Sequence, residues 1–93
     1  MAVVSIMKMQ GDPDELSDTL GRMTQLAEEK AKQYGGIATI MARTDDGLMI
    51  INLWETEEGR HRMADDPDMR ASMQTQGFTP NFTAYEVLDY RIA

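Results

Sequence analysis

Apolar residues concentrate in four stretches of the chain, where β-branched, aromatic and aliphatic side chains stand at neighbouring positions as they do in strands. These stretches predict strands at residues 3–9, 36–43, 48–54 and 82–90. The tetrapeptide TDDG at residues 44–47 separates the second strand from the third and contains the Asp-Gly pair of a hairpin turn. We therefore expect the second and third strands to form a hairpin.

Between the strands, apolar residues recur at spacings of three and four, which is the period of a helix. This spacing predicts one helix over residues 13–33, ended by the glycine pair at 35–36, because glycine tolerates the left-handed conformation of a helix C-terminus. Shorter helices are expected at residues 56–64 and 67–76, the second ending at Gly77. The apolar stripe of the first helix consists of Leu16, Leu20, Met23, Ala27, Ala31 and Tyr34.

The segments DPDEL at residues 12–16 and DPDMR at residues 66–70 repeat the same helix-start signal. In each segment the Asp can cap free backbone N–H groups, while the following Pro occupies the first helical position, where no N–H is missed. The next acidic residues favour the positive end of the helix dipole. Helices should therefore begin at Pro13 and Pro67, and Thr56 is a further candidate cap.

The elements follow one another in the order βαββαβ, which predicts an α+β fold of the ferredoxin-like type with a four-stranded antiparallel sheet. A chain of 93 residues has room for one domain, residues 1–93, and for no second core. A domain of this size buries about 60–65% of its unfolded surface, so a partner subunit would add stability.

The third strand indicates that both faces of the sheet are covered. Two helices can cover one face, and the chain has no residues left to cover the other. An exposed aliphatic face of this size would favour aggregation, so the sequence predicts a homodimer in which a second sheet covers it. One row of the strand consists of Leu48, Ile50, Asn52 and Trp54, and the other of Met49, Ile51 and Leu53.

Composition narrows the classes of function. The formal charge of −7 comes from 16 acidic and 9 basic residues, and no Lys/Arg cluster offsets it, which disfavours nucleic-acid binding. No segment approaches the roughly 20 apolar residues of a membrane span, and the N-terminal residues lack the basic start of a signal peptide. We expect a soluble cytoplasmic protein that does not bind membranes. With one His and no Cys, no metal site is expected.

The stretch INLWETEEGRH at residues 51–61 places the single Trp at a strand end, before an acid, a hydroxyl residue and a further acid that open a helix. This motif resembles the antibiotic-biosynthesis-monooxygenase-like family, a branch of the dimeric α/β barrels. The resemblance extends over INLWETEEGRHRMADDPDMRA, the glycine pair at 35–36 and the closing AYEVLDYRI. It implies one such domain over residues 1–93, paired as a dimeric α/β barrel.

The family contains cofactor-independent quinone-forming monooxygenases, haem-degrading enzymes and quinol-handling proteins, with a pocket inside each subunit between sheet and helices. By position, the resemblance implies a pocket for a small apolar or aromatic ligand. Asn52 and Trp54 are its candidate catalytic residues, Asn52 as a donor to an oxyanion and Trp54 as a stacking wall. The lining residues implied are Met7, Ile50, Asn52, Trp54, Arg60 and Met63.

The sequence reproduces neither active site of the family. The haem-degrading branch has a His as axial iron ligand where this chain has Ser72, an Asn where it has Met7, and a second Trp where it has Met63. The quinone-forming branch has an Asn at the position of Ile50 and a Tyr at that of Arg60. We therefore expect no axially ligated haem and no other cofactor.

Each candidate residue also has a purely structural alternative. Trp54 is either a core residue with its N–H on a backbone carbonyl or the wall of a ligand pocket. A buried Asn52 must bond either to backbone or water, or to a ligand. Arg60 either packs its stem and keeps its guanidinium in water or binds an anionic group. His61 is expected on the solvated helix face, paired with Glu57.

Two functions stay open on the sequence alone. The first is a cofactor-independent monooxygenase, an oxidoreductase acting on a phenolic or polycyclic aromatic substrate, with Tyr34 and Tyr85 available as bases but unplaced. The second is a non-catalytic ligand-binding or stress-associated barrel. Likeness of fold cannot choose between an enzyme and a binding protein.

Overall fold

Four strands and four helices make up the part of the chain that the computed structural model describes, residues 1–77 and 81–93. The strands are β1 (Val3–Gln10), β2 (Gly36–Thr44), β3 (Gly47–Trp54) and β4 (Phe82–Glu86). The helices are α1 (Pro13–Gly21), α2 (Thr24–Tyr34), α3 (Glu57–Asp65) and α4 (Pro67–Gln76). Apart from the first predicted helix and the last strand, the predicted bounds are confirmed to within one residue.

The strands form one antiparallel sheet in the order β2-β3-β1-β4. The helices connect strands that are not neighbours in the sheet, which is the split βαβ arrangement, so the predicted ferredoxin-like α+β fold is confirmed. Asp45 and Asp46 form the turn between β2 and β3. The register aligns Asn52 of β3 with Ser5 of β1 on one side and Thr39 of β2 on the other.

The predicted helix-start and helix-stop residues occupy the expected positions. The carboxylate of Asp12 accepts a backbone N–H at 2.8 Å, and that of Asp66 accepts two, at 2.9 and 3.1 Å. The hydroxyl of Thr56 accepts one at 3.0 Å. Gly35 and Gly77 end α2 and α4 with φ of 83° and 79°, in the left-handed region that glycine tolerates.

The long helix predicted over residues 13–33 is wrong, because the structure divides it into α1 and α2. The backbone N–H of Met23 turns back to the carbonyl of Leu20 at 2.9 Å, and the hydroxyl of Thr24 bonds the same carbonyl at 3.2 Å. Gly21, a poor helix former, lies at the break. Leu20 and Met23 are both buried, so the helical spacing of apolar residues continues through the turn although the helix ends there.

The fourth strand is shorter than predicted, ending at Glu86 instead of residue 90. Glu86 is aligned with Val3, the first residue of β1, and one further bond joins the N–H of Val87 to the carbonyl of Ala2. Beyond that point β1 offers no partner, so the chain leaves the sheet. Leu88 is 95% exposed in this segment.

The two faces of the sheet are covered differently. The face opposite the helices carries apolar side chains such as Ile6 and Ile51, and no described element covers it. Ile40 and Tyr85 on that face expose 57% and 56% of their surface. The core lies between the sheet and the helices, and its buried residues are Val3, Met7, Leu20, Met23, Leu48, Ile50, Trp54 and Met69.

Candidate ligand-binding site

A cavity of about 850 Å³ lies between the sheet and the helices. Every residue that the sequence predicted for the pocket contributes to its wall, so the structure brings these residues together around one space. Their binding of a ligand stays a prediction. Met7, Ile50, Asn52 and Trp54 come from β1 and β3, and Arg60 and Met63 come from α3.

Much of the cavity wall is apolar and adaptable. Three buried core residues, Met7, Met23 and Met69, also line the cavity, so the same side chains fill the core and face the open space. Unbranched, polarizable methionine side chains can adjust to ligands of different outline. The lining methionines are Met7, Met23, Met41, Met63, Met69 and Met73.

A row of polar groups crosses the sheet side of the cavity. The Thr39 hydroxyl donates to Oδ1 of Asn52 at 2.8 Å, and Nε1 of Trp54 donates to Oγ of Ser5 at 3.2 Å. The backbone carbonyl predicted as the structural partner of Trp54 is wrong, because the acceptor is the side chain of Ser5. Asn52 is bonded by a side chain of the neighbouring strand β2. These bonds hold the amide and the indole in fixed orientations.

The arginines at the cavity are engaged by acidic residues on the helices. Nη2 of Arg60 lies 2.6 Å from Oε1 of Glu57, and its side chain is 16% exposed. This hydrogen bond lowers the pKa of Glu57. Arg70 is paired with Asp65 at 2.8 Å. Glu57 therefore engages Nε and Nη2 of Arg60, and the binding of an anionic group by this guanidinium stays a prediction.

The fold has relatives among solved structures. SnoaB, a cofactor-independent oxygenase from Streptomyces nogalater, matches 96% of this chain and 93% of its own, with a TM-score of 0.69 and 14% identity. A candidate antibiotic biosynthesis monooxygenase from Deinococcus radiodurans matches 100% of this chain and 98% of its own, with a TM-score of 0.70 and 12% identity. The chain has the antibiotic-biosynthesis-monooxygenase fold. A heme-degrading protein from Mycobacterium tuberculosis shares it, with a TM-score of 0.63 and 15% identity over 98% and 99%. No protein-family model and no curated protein matches the sequence.

Within this fold, the single histidine lies on the outer surface of α3. His61 has a side chain that is 61% exposed, and its Nε2 lies 2.9 Å from Oε1 of Glu57. The predicted pairing with Glu57 is confirmed, as is that of Glu58 with Arg62. Ser72, at the position matched to the iron-binding His, is partly buried in α4 and is not part of the cavity wall.

The two tyrosines considered as bases lie away from the cavity. The Tyr34 hydroxyl donates to Oδ2 of Asp66 at 2.6 Å, and Nζ of Lys30 lies 3.0 Å from the same oxygen. The hydrogen bond raises the pKa of Tyr34 and, with Lys30, lowers that of Asp66 to about 2. Tyr85 lies on the opposite face of the sheet. Tyr34 therefore ties α2 to the start of α4.

Sequence reasoning missed seven polar residues of the cavity wall: Ser5, Thr24, Glu28, Lys32, Thr39, Arg70 and Gln74. Ser5 and Thr39 follow from the strand register, because both are aligned with Asn52. Glu28 and Lys32 lie on exposed positions of α2, where nothing in the hydrophobic pattern distinguishes them from other surface residues.

Within residues 1–77 and 81–93, no group of three or more His, Asp and Glu side chains is arranged to hold a metal ion. Nor does any helix in those ranges combine the length and the apolarity needed to cross a bilayer.

Proposed function

We propose that the protein binds a small, planar apolar or aromatic molecule in the cavity between its sheet and its helices. The observation that carries this proposal is the cavity itself, whose volume of about 850 Å³ lies within the roughly 300–1,000 Å³ of typical ligand sites. Close-packed cores rarely leave voids larger than a water molecule. A space of this size is therefore better explained by an occupant than by core packing.

Trp54 and Asn52 supply shape and polarity to the proposed site. The bond to Ser5 holds the indole of Trp54, so that it can present a fixed face to a stacked ring. The bond from Thr39 occupies Oδ1 of Asn52 and leaves its Nδ2 as the group to donate to a ligand oxygen. These contacts support the stacking and oxyanion roles predicted for the two residues.

We also propose that two copies pair through the bare face of the sheet, forming a dimeric α/β barrel. The exposed Ile40 and Tyr85, with Ile6 and Ile51 between them, support a self-complementary apolar contact. The cavity lies on the other side of the sheet, so pairing would leave it open to a ligand.

As an enzyme, the protein would be a cofactor-independent oxygenase, which is how SnoaB is described. With an anthrone, loss of a proton from the methylene carbon would give a carbanion that supplies the electrons to O₂. One oxygen atom would become the new quinone carbonyl, and the other would leave as water with the two methylene hydrogens. Glu28 is the carboxylate among the described lining residues and is our candidate for the proton acceptor.

A non-catalytic ligand-binding protein is the second candidate. The observation that favours it is the scarcity of reactive groups at the cavity, since Tyr34 lies away from it, bonded to Asp66, and Arg60 is bonded to Glu57. In this case the cavity would hold its ligand without transforming it.

Binding is tested by titrating quinones, anthrones and flavin-like compounds while recording the fluorescence of Trp54. A stacked ligand should quench or shift the signal. Asn52→Leu, of similar volume, should weaken ligands that carry an oxygen by about 1–3 kcal/mol and leave stability nearly unchanged. If no compound alters the Trp54 signal, the pocket is refuted and these residues are core.

Catalysis is tested by oxygen consumption with 1,8-dihydroxyanthrone, compared with the rate in buffer alone. An oxygenase should accelerate quinone formation, and Glu28→Gln should slow it by the roughly 10²–10⁴-fold that general base catalysis contributes. Binding without acceleration would select the non-catalytic alternative.

A further inference from the structure

Ser5 has a hydrogen-bond donor that its structural role does not use. Its side chain is 2% exposed and lines the cavity. Nε1 of Trp54 lies 3.2 Å from Oγ of Ser5. Because an indole N–H can only donate, Ser5 is the acceptor in this bond and keeps its own hydroxyl hydrogen for another partner. Among residues 1–77 and 81–93, no hydrogen bond donated by Ser5 is formed.

Asn52 turns its own donor towards the same place. Thr39 lies on one side of it in β2 and donates to Oδ1 at 2.8 Å. The oxygen and the NH₂ of a carboxamide diverge from the same carbon atom, so with Oδ1 engaged by Thr39 on the β2 side, Nδ2 is directed away from β2. The residue aligned with Asn52 on the other side, in β1, is Ser5, which lines the same cavity. Residues aligned in this way have Cβ atoms about 4.5–5.5 Å apart. The hydroxyl of Ser5 and the amide of Asn52 therefore flank one spot on the cavity floor.

We infer that Ser5 and Asn52 form a two-donor site for a single oxygen atom of the ligand, a carbonyl or phenolate oxygen on the edge of an aromatic ring. This inference rests on the proposed function, because it assigns a polar subsite within the same cavity. Trp54 is two residues from Asn52 on the same face of β3, so a ring whose oxygen meets the two donors lies against the indole.

The buried hydroxyl of Ser5 and the half-buried amide of Asn52 select against ligands that lack the oxygen. A hydrocarbon of the same shape would leave both groups unpaired, and unpaired buried donors are what give polar sites their discrimination. Donors also stabilise a phenolate more than a phenol, so the site lowers the pKa of a bound phenol relative to a cavity without them.

The test compares 2-naphthol with naphthalene, which differ only in the oxygen, by calorimetric titration of the full chain. Wild type should prefer 2-naphthol, and Ser5→Ala and Asn52→Leu should each reduce this preference about tenfold, the effect of one net hydrogen bond. Ser17→Ala removes a hydroxyl from an exposed position in α1 and should leave the preference unchanged. Ser5→Ala also removes the acceptor of the Trp54 N–H and should weaken the binding of both compounds. The ratio of the two affinities is insensitive to such a general weakening.

A second measurement covers the case in which Ser5→Ala does not fold. The pKa of bound 2-naphthol, read from its absorbance, should be lower in wild type than in Asn52→Leu. If both compounds bind but neither the preference nor this pKa responds to the substitutions, the two-donor site is refuted while the cavity proposal stands. If neither compound binds wild type, the cavity proposal is refuted and the two-donor site with it.

Discussion

Replacing Gly59 by alanine should destabilise the protein, because α3 packs against the end of α2 at that residue. A Cβ at position 59 would lie 2.0 Å from the carbonyl oxygen of Tyr34 and 3.2 Å from Oγ1 of Thr56. The first of these atoms belongs to the backbone and cannot rotate away. Restoring ordinary contact at 3.4 Å requires a displacement of 3.4 − 2.0 = 1.4 Å between the two helices.

The magnitude follows from what such a displacement disturbs. Inserting one methyl group into a well-packed site costs about 1–3 kcal/mol. Here the affected Thr56 also caps α3 by accepting the N–H of Gly59 at 3.0 Å, and weakening a cap costs about 1 kcal/mol more. We expect a loss of about 3 kcal/mol, a large part of the roughly 5–15 kcal/mol that stabilises a typical domain.

Gly21→Ala is the matched control. A Cβ at position 21 has no heavy atom within 4 Å, and alanine is favoured over glycine in a helix by about 0.5–1 kcal/mol. Urea unfolding of both variants, at equal protein concentration and followed by circular dichroism, should show Gly59→Ala well below wild type and Gly21→Ala at or above it. Equal stability of Gly59→Ala and wild type would refute the close packing of α3 on α2.

Three further outcomes are expected. Light scattering at micromolar concentration should give about twice the 10.5 kDa of one chain. Ile51→Asp should aggregate or unfold while the exposed Gln25→Asp does not. A folded wild-type monomer would contradict the barrel. Haemin should give no stoichiometric Soret shift, because His61 lies outside the cavity; a shift abolished by His61→Ala would show that α3 is misplaced. The Tyr34 hydrogen bond holds the pKa of Asp66 at about 2, below its usual 3.8, so the folding stability that ionised Asp66 contributes is fully present above pH 3.8. This stability should be lost as the pH falls to about 2, and Asp66→Asn should flatten that part of the stability profile.

The fold was predictable where the signals are local. Asp66 with Pro67 marks the start of α4, and Gly77 marks its end, because each acts on backbone groups within a few residues. The break between α1 and α2 was not predictable from spacing. Leu20 and Met23 are three residues apart and both buried, whether the chain between them is helical or turns.

The site was predictable only in part, since the sequence predicts which face a strand residue occupies but not every neighbour on the next strand. Alternation placed Ile50, Asn52 and Trp54 on one face, and the structure agrees. The tight turn between β2 and β3 also sets the register of that hairpin, so Thr39 opposite Asn52 could have been predicted. The register of β3 with β1 has no such local signal, so Ser5 could not be predicted as part of the site.

The sequence left open whether Trp54 and Asn52 are core residues or pocket residues. The hydrogen bonds of these two side chains are compatible with both roles at once. Trp54 is satisfied as a core residue would be, but by the hydroxyl of Ser5, which retains a hydrogen to donate. Asn52 is satisfied through its oxygen by Thr39, which leaves its nitrogen as a donor. Each bond fixes a side chain that the proposed ligand would meet, so the ordering that binding requires is already present before the ligand arrives. A cavity floor of unbonded polar groups would have to reorganise on binding. Here the side chains are already oriented, and their free donors have only to bind an oxygen atom of the proposed ligand.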